Sequence, residues 1–264
     1  MEYAAKYGDF EMMKKLHSYG APLNINTFTT AVNYGNFEIL TWLKEQNCPW
    51  AASTFTVAAQ NGNLEIMKWL KAQGCPWNED TFASAARNGH LRVMKWLKAE
   101  GCPWNKSAFS GAAENGNLQV LIWLKEQGCP WDEDTFEFAA KNGDLQVLEY
   151  LKEQGCPWDE YTFEFAAKKG NLEVLKWLKE QGCPWDSNTF SVAVENGDLE
   201  IIKWLLEKGI KYTPEAFNYA LSEGHIHILD WFKTQGYIIP KNCHRFINKN
   251  SIKTTEWLES RYLL

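Results

Sequence analysis

The sequence predicts an all-α fold, a helical solenoid of stacked helix-turn-helix repeats. Three observations carry it. The tripeptide Cys-Pro-Trp begins at Cys48, Cys75, Cys102, Cys129, Cys156 and Cys183, a strict interval of 27 residues. A fixed period of this size marks one supersecondary element copied along the chain. Each copy carries two apolar stretches at helical spacing, and Asn-Gly or a related pair separates them.

Taking the Cys as position 1, degenerate copies flank the six clear ones. Ala21-Pro22-Leu23 opens one upstream, and Ile210-Lys211-Tyr212 and Tyr237-Ile238-Ile239 open two downstream. The expected organisation is a single array over 1–264: a partial repeat at 1–20, repeats over 21–236, and a degenerate capping repeat over 237–264. Such an array buries its core between neighbours and presents an extended surface, which makes binding the default function.

Helix A of each repeat is expected to start after position 4, which is Asn78, Asn105, Asp132, Asp159 or Asp186. In Thr213-Pro214-Glu215 the order is that of an N-cap followed by proline at the first helical residue. Phe82, Ala85 and Ala86 then fall at i, i+3 and i+4 on one face, and the small alanines let a second helix approach. Helix A is expected to stop at Asn-Gly, as at Asn88-Gly89, because glycine suits the left-handed helix cap. The next residue is Asn, Asp or His, the expected N-cap of helix B. Helix B carries Leu91, Val93, Met94, Trp96 and Leu97 and ends at Gly101; Pro103 prevents continuation.

These residues resemble the ankyrin repeat. The family pattern is matched by Phe82, Ala85-Ala86, Asn88-Gly89-His90, Val93-Met94, Trp96-Leu97 and Gly101-Cys102. An ordinary ankyrin repeat has 33 residues, and the deficit falls between the final glycine and the next helix A. The resemblance therefore implies an ankyrin-like array with shortened loops in place of the β-hairpins. This short variant is similar to ankyrin arrays of protists and giant DNA viruses. Tetratricopeptide repeats fit less well, since their 34-residue period and Trp-x-x-Leu-Gly pattern are absent.

Composition narrows the function. The 264 residues are 45% hydrophobic and 23% charged, with net charge −6. That balance argues against a nucleic-acid partner. No apolar run reaches the ~18–20 residues of a membrane span. The N-terminus lacks a signal-peptide pattern, so the seven cysteines are read as reduced thiols in the cytoplasm, or the host cytoplasm if the protein is viral. A monomer is expected.

The cysteine ladder is read as packing. Stacked helices lie about 8–10 Å apart, too far for a disulfide or a shared zinc ion. No cofactor or metal is expected. The alternative reading of Cys-Pro is a thiol or haem sensor. Trp42, Trp69, Trp96, Trp123, Trp177, Trp204 and Trp231 stand at position 22, with Tyr150 in their place once. Stacked rings are expected there, with indole N–H groups reaching loop carbonyls. His90 and His225 take cap positions. His225 and His227, near Cys243-His244, are not expected to bind metal. No catalytic constellation is present, so the chain is read as a non-enzyme.

Recognition is assigned to positions that vary. The ankyrin resemblance places partners on the loops and helix A, here positions 4–6, 9, 10 and 13. Asp132, Asp134, Glu137, Phe138, Asp159, Glu160, Tyr161, Glu164 and Phe165 form an acidic, aromatic strip there, with Glu133, Lys141 and Lys168 beside it. A solvated face with acids favouring the helix dipole is the other reading. The leading hypothesis is a non-catalytic scaffold whose partner protein offers a basic surface. Reversing charge at Asp132, Asp134, Asp159 and Glu160 is expected to abolish capture at nearly unchanged stability. A substrate adaptor for a ubiquitin ligase is a narrower version that needs a further segment. At the ends, Lys241, Arg245, Lys249 and Lys253 suit a polar C-terminal cap, and Met1 enters at position 8 of helix A, as if that helix were truncated or the chain cut from something longer.

Overall fold

A computed structural model of the chain describes residues 1–237, 240, 243–246 and 252–262. They form two compact bodies. One comprises Met1–Ala139 and Glu149–Cys156, the other Ala140–Leu148 and Pro157–Leu264. Among the described residues all regular structure is helical. No helix there is long and apolar enough to cross a membrane.

Over 21–236 each repeat is a pair of helices about two and a half turns long. In the Cys75 repeat these are Glu79–Arg87 and Leu91–Ala99, and in the Cys102 repeat Lys106–Glu114 and Leu118–Glu126. Helix A of one repeat packs on helix A of the next, and helix B packs behind it on its own helix A. The core is what the periodicity predicts: Phe82, Ala85, Ala86, Val93, Met94 and Leu97 are all buried. Positions 17 and 22 of this repeat differ from the expectation, although Trp204 at position 22 of a later repeat is buried. Leu91 and Trp96 are half-buried at the edge of the core.

The helix ends follow local chemistry. Asn24 Oδ1 accepts from Thr27 N at 2.8 Å, and Asp186 Oδ1 accepts from Asn188 N at 2.8 Å. Asn63, Asn117, Asn171 and Asp198 cap helix B in the same manner. Thr213 takes the N-cap backbone position before Pro214, but its hydroxyl makes no capping bond. The glycine after helix A has two reasons to be glycine. Gly62 has φ +69°, and a Cβ there would lie 2.7 Å from the His90 ring of the following repeat.

Ala51 stands at an N-cap where its counterparts are Asn, Asp or Thr, and it offers no side-chain acceptor. Ala51→Asp is therefore expected to stabilise the chain by about 1 kcal/mol. A rise in the urea midpoint at unchanged m checks it.

At the C-terminus a short 3₁₀ turn, Cys243–Phe246, precedes a helix, Ile252–Tyr262. Arg245 is exposed there. Lys241 and Lys249 lie outside the described residues, as do the side chains of His244 and Lys253.

Candidate functional site

The recurring residues close the seams between successive repeats. Each ladder thiol donates to the carbonyl of the residue that caps helix A one repeat earlier. Cys48 reaches Asn24 O at 3.4 Å, Cys102 reaches Asn78 O at 3.5 Å, and Cys129 reaches Asn105 O at 3.5 Å. In the second body Cys183 reaches Asp159 O at 3.5 Å. All seven cysteines are buried. Burial pushes the Cys48 thiol up to about 11 from an ordinary 9.0. It pushes Cys75, Cys102, Cys129 and Cys156 up to about 12. Such thiols are neutral hydrogen-bond donors, the opposite of the exposed low-pKa thiolates of redox sensors.

The loop tryptophan closes a second seam. The Trp104 ring meets Phe82 of the preceding repeat at 5.1 Å and Trp123 of its own helix B at 6.3 Å. Phe82 and Trp123 stack across the repeat boundary at 6.4 Å. Over the exposed indole face lies a lysine from the last turn of the preceding helix B. Lys98 Nζ is 3.6 Å from the Trp104 centroid, and Lys71, Lys125 and Lys179 cover Trp77, Trp131 and Trp185 at 3.4, 3.4 and 3.7 Å. This cation–π cover was not anticipated from sequence. The sequence held the signal: where position 24 is Leu206 instead of Lys, the next loop carries Tyr212 instead of Trp. The tryptophan ladder is held by ring faces and edges. The expected indole bond to a loop carbonyl is replaced at Trp257 by one to a carboxylate, Asp230 Oδ1, at 2.8 Å.

Polar side chains also cross the seams. Thr29 and Thr54 hydroxyls bond at 3.1 Å, as do Thr56 and Thr81 at 3.3 Å. His90 and His225 hold the N-cap backbone position of helix B without capping it. Their Nε2 atoms bond instead to Gln60 O at 2.9 Å and Glu195 O at 2.7 Å, one repeat earlier. His227 Nε2 bonds to Gly197 O at 3.0 Å. Among the described residues no His, Cys, Asp and Glu group is arranged to hold a metal ion.

The acidic strip divides between the two bodies. In the first, Lys106 pairs with both Asp132 and Asp134, the latter at 3.3 Å. Hydrogen bonds to Asp132 and then Asp134 raise the lysine's pKa. One Asp132 oxygen, Oδ1, is buried, and Asp132 O receives the Cys156 thiol. Glu137 and Phe138 are half-buried in the same body. In the second, Asp159 Oδ1 caps helix Glu160–Lys169, accepting from Tyr161 N at 3.0 Å and Thr162 N at 3.3 Å. Glu160 and Tyr161 are exposed, and Glu164 and Phe165 half-buried. Burial raises the Glu164 pKa, and the carboxylates of Asp186, Glu160 and Asp159 add to the effect against a hydrogen bond from Asn188. Asp132 and Asp159 thus have structural duties, so reversing them would also lower stability. The expectation of an unchanged stability is corrected on that ground.

The family model for ankyrin repeats, in three copies, matches residues 55–135, 136–216 and 163–242. Among solved structures, the chain is similar to the human ASB11 ankyrin repeat domain, a crystal structure with 17% sequence identity. That alignment covers 77% of this chain and 96% of the other, with a TM-score of 0.48. No curated protein matches the chain. With capped helix pairs recurring every 27 residues and the family match spanning more than half of the sequence, the chain belongs to the ankyrin repeat family.

Proposed function

We propose that the protein is a non-catalytic scaffold that captures a basic segment of a partner protein on helix A of the Cys156 repeat. Ankyrin repeats generally mediate protein–protein interaction, and the reading here concerns where and with what charge. One observation supports it above the others. Glu164 is a half-buried acid whose pKa is raised by burial and by Asp186, Glu160 and Asp159. Among the described residues no cation pairs with Glu164, Glu160 or Asp186. A lysine or arginine from a partner would relieve that crowding, and the exposed Tyr161 offers it a ring face. Asp132 and Asp134, in the first body, already share Lys106.

Peptides selected from a random display library on the full chain test this reading. The expected result is enrichment of net-positive sequences whose binding weakens at least about tenfold in Glu160→Lys with Tyr161→Ala, and also at high salt. Asp159 stays untouched, so the variant's stability is expected to stay within about 1 kcal/mol of the parent. Enrichment of neutral or acidic sequences, or binding indifferent to both substitutions, would contradict it.

A further inference from the structure

The position-13 carbonyl of one repeat is an acceptor for the repeat that follows, and two different residues compete for it. Asn61, at position 14, donates its Nδ2 to Asn33 O at 3.1 Å, and Asn115 and Asn196 reach Arg87 O and Lys168 O in the same way. In these repeats position 16 is Asn63, Asn117 or Asp198, which caps helix B and leaves the carbonyl to position 14. The Cys75 repeat differs. Its position 16 is His90, whose Nε2 holds Gln60 O at 2.9 Å. Asn88 turns back on its own helix instead, and its Nδ2 donates to Ser84 O at 2.9 Å. The Ile210 repeat shows the same exchange: His225 holds Glu195 O at 2.7 Å, and position 14 there is Glu223, which has no amide to place.

Asn61, Asn88, Asn115 and Asn196 each precede a glycine. An asparagine amide in that setting is open to attack by the next backbone nitrogen, because glycine has no Cβ to shield it. The backbone is alike from pair to pair. The Gly62, Gly89 and Gly116 nitrogens donate to Ala59 O, Ala86 O and Ala113 O at 3.1, 3.0 and 3.0 Å. All four asparagines are exposed to water. What differs is the hold on the side-chain amide. Releasing Asn61, Asn115 or Asn196 breaks a bond to a neighbouring repeat. Releasing Asn88 needs only fraying of its own helix end, a cheaper and more local opening.

We propose that Asn88-Gly89 is a site of spontaneous deamidation in this chain, made vulnerable by His90. The Gly89 nitrogen attacks Asn88 Cγ, the Cγ–Nδ2 bond breaks, and ammonia leaves with the proton that the nitrogen gives up. Water then opens the succinimide ring at either carbonyl and leaves aspartate or isoaspartate. No oxidant or reductant takes part. Either product sets a negative charge at the C-terminal end of helix Glu79–Arg87, where the helix dipole disfavours it. The isoaspartyl form also adds a backbone atom to the turn between helices A and B. The inference does not depend on the acidic helix of the Cys156 repeat.

The test is peptide mapping by mass spectrometry after prolonged incubation of the full chain at neutral pH, native and in concentrated urea. In the native chain Asn88 is expected to deamidate at least about fivefold faster than Asn61, Asn115 and Asn196. In urea the four rates should converge, since each asparagine is followed by the same residue. His90→Asn restores the position-16 residue of the other repeats and frees Gln60 O, so in that variant native Asn88 should slow to the range of the other three. If His90→Asn does not fold, the native and urea rates of the parent decide the matter. Native Asn88 no faster than the others, a lead for Asn88 that persists in urea, or an unchanged Asn88 rate in folded His90→Asn overturns the proposal.

Discussion

Raising the pH from 9 to 11 is expected to unfold the first body cooperatively. The cause is the thiol ladder. Cys48 holds its proton in the folded state to about 11, and Cys75, Cys102, Cys129 and Cys156 to about 12, against an ordinary 9.0. Below pH 9 these thiols are protonated in both states and give no pH dependence. Above it the unfolded chain loses protons that the folded chain keeps, so stability falls as pH rises. Each thiol contributes about 1.4 kcal/mol per pH unit in that window. Five together reach about 7 kcal/mol by one unit above the unfolded pKa, comparable with the ~5–15 kcal/mol of a typical domain. Circular dichroism across the range should show helix lost with a midpoint between about pH 10 and 11. Replacing all five thiols by alanine should move that midpoint upward and flatten the slope, even if stability at neutral pH is lower. An unaltered alkaline midpoint in that variant would show that other groups govern the transition.

Phe82→Ala is expected to be among the most damaging single truncations, with Phe28→Ala and Phe163→Ala, whose rings make the same pair of contacts. The Phe82 ring is fully buried and meets Trp104 at 5.1 Å and Trp123 at 6.4 Å, so it touches both aromatic ladders at once. Removal should cost about 3–5 kcal/mol through lost transfer energy and the cavity left behind. Because repeats are stabilised chiefly by their neighbours, the loss should concentrate in the Cys75 and Cys102 repeats. Hydrogen exchange should show amides of Glu79–Arg87 and Lys106–Glu114 losing protection before those of the second body. A cost under about 1 kcal/mol would mean the ladder relaxes around the gap.

Helix positions were legible because they depend on local chemistry. The Asn-Gly breaks, the caps at Asp159 and Asp186, and proline at Pro214 each act within a few residues. The burial of Cys102 and Phe82 was legible for a related reason: a residue that recurs at every period must meet the same neighbour each time. What escaped was contact between repeats. Lys98 and Trp104 are six residues apart across a left-handed turn, a spacing no helical or strand period highlights. Thr29 and Thr54 are 25 apart, and Lys106 and Asp132 are 26 apart. Reading Asp132 and Asp134 within their own repeat made them look like bare acid, because their cation sits one repeat earlier.

The central claim is that the recurring side chains hold neighbouring repeats together and are withheld from outside chemistry. Thiol counting with Ellman's reagent near pH 8 tests it most directly. In native buffer the ladder cysteines should react at least about a thousandfold more slowly than a solvated thiol, since thiolate is scarce and the sulfur is covered. In concentrated guanidinium all seven should react at once. Rapid native labelling of several ladder cysteines, with the helical signal intact, would contradict the account.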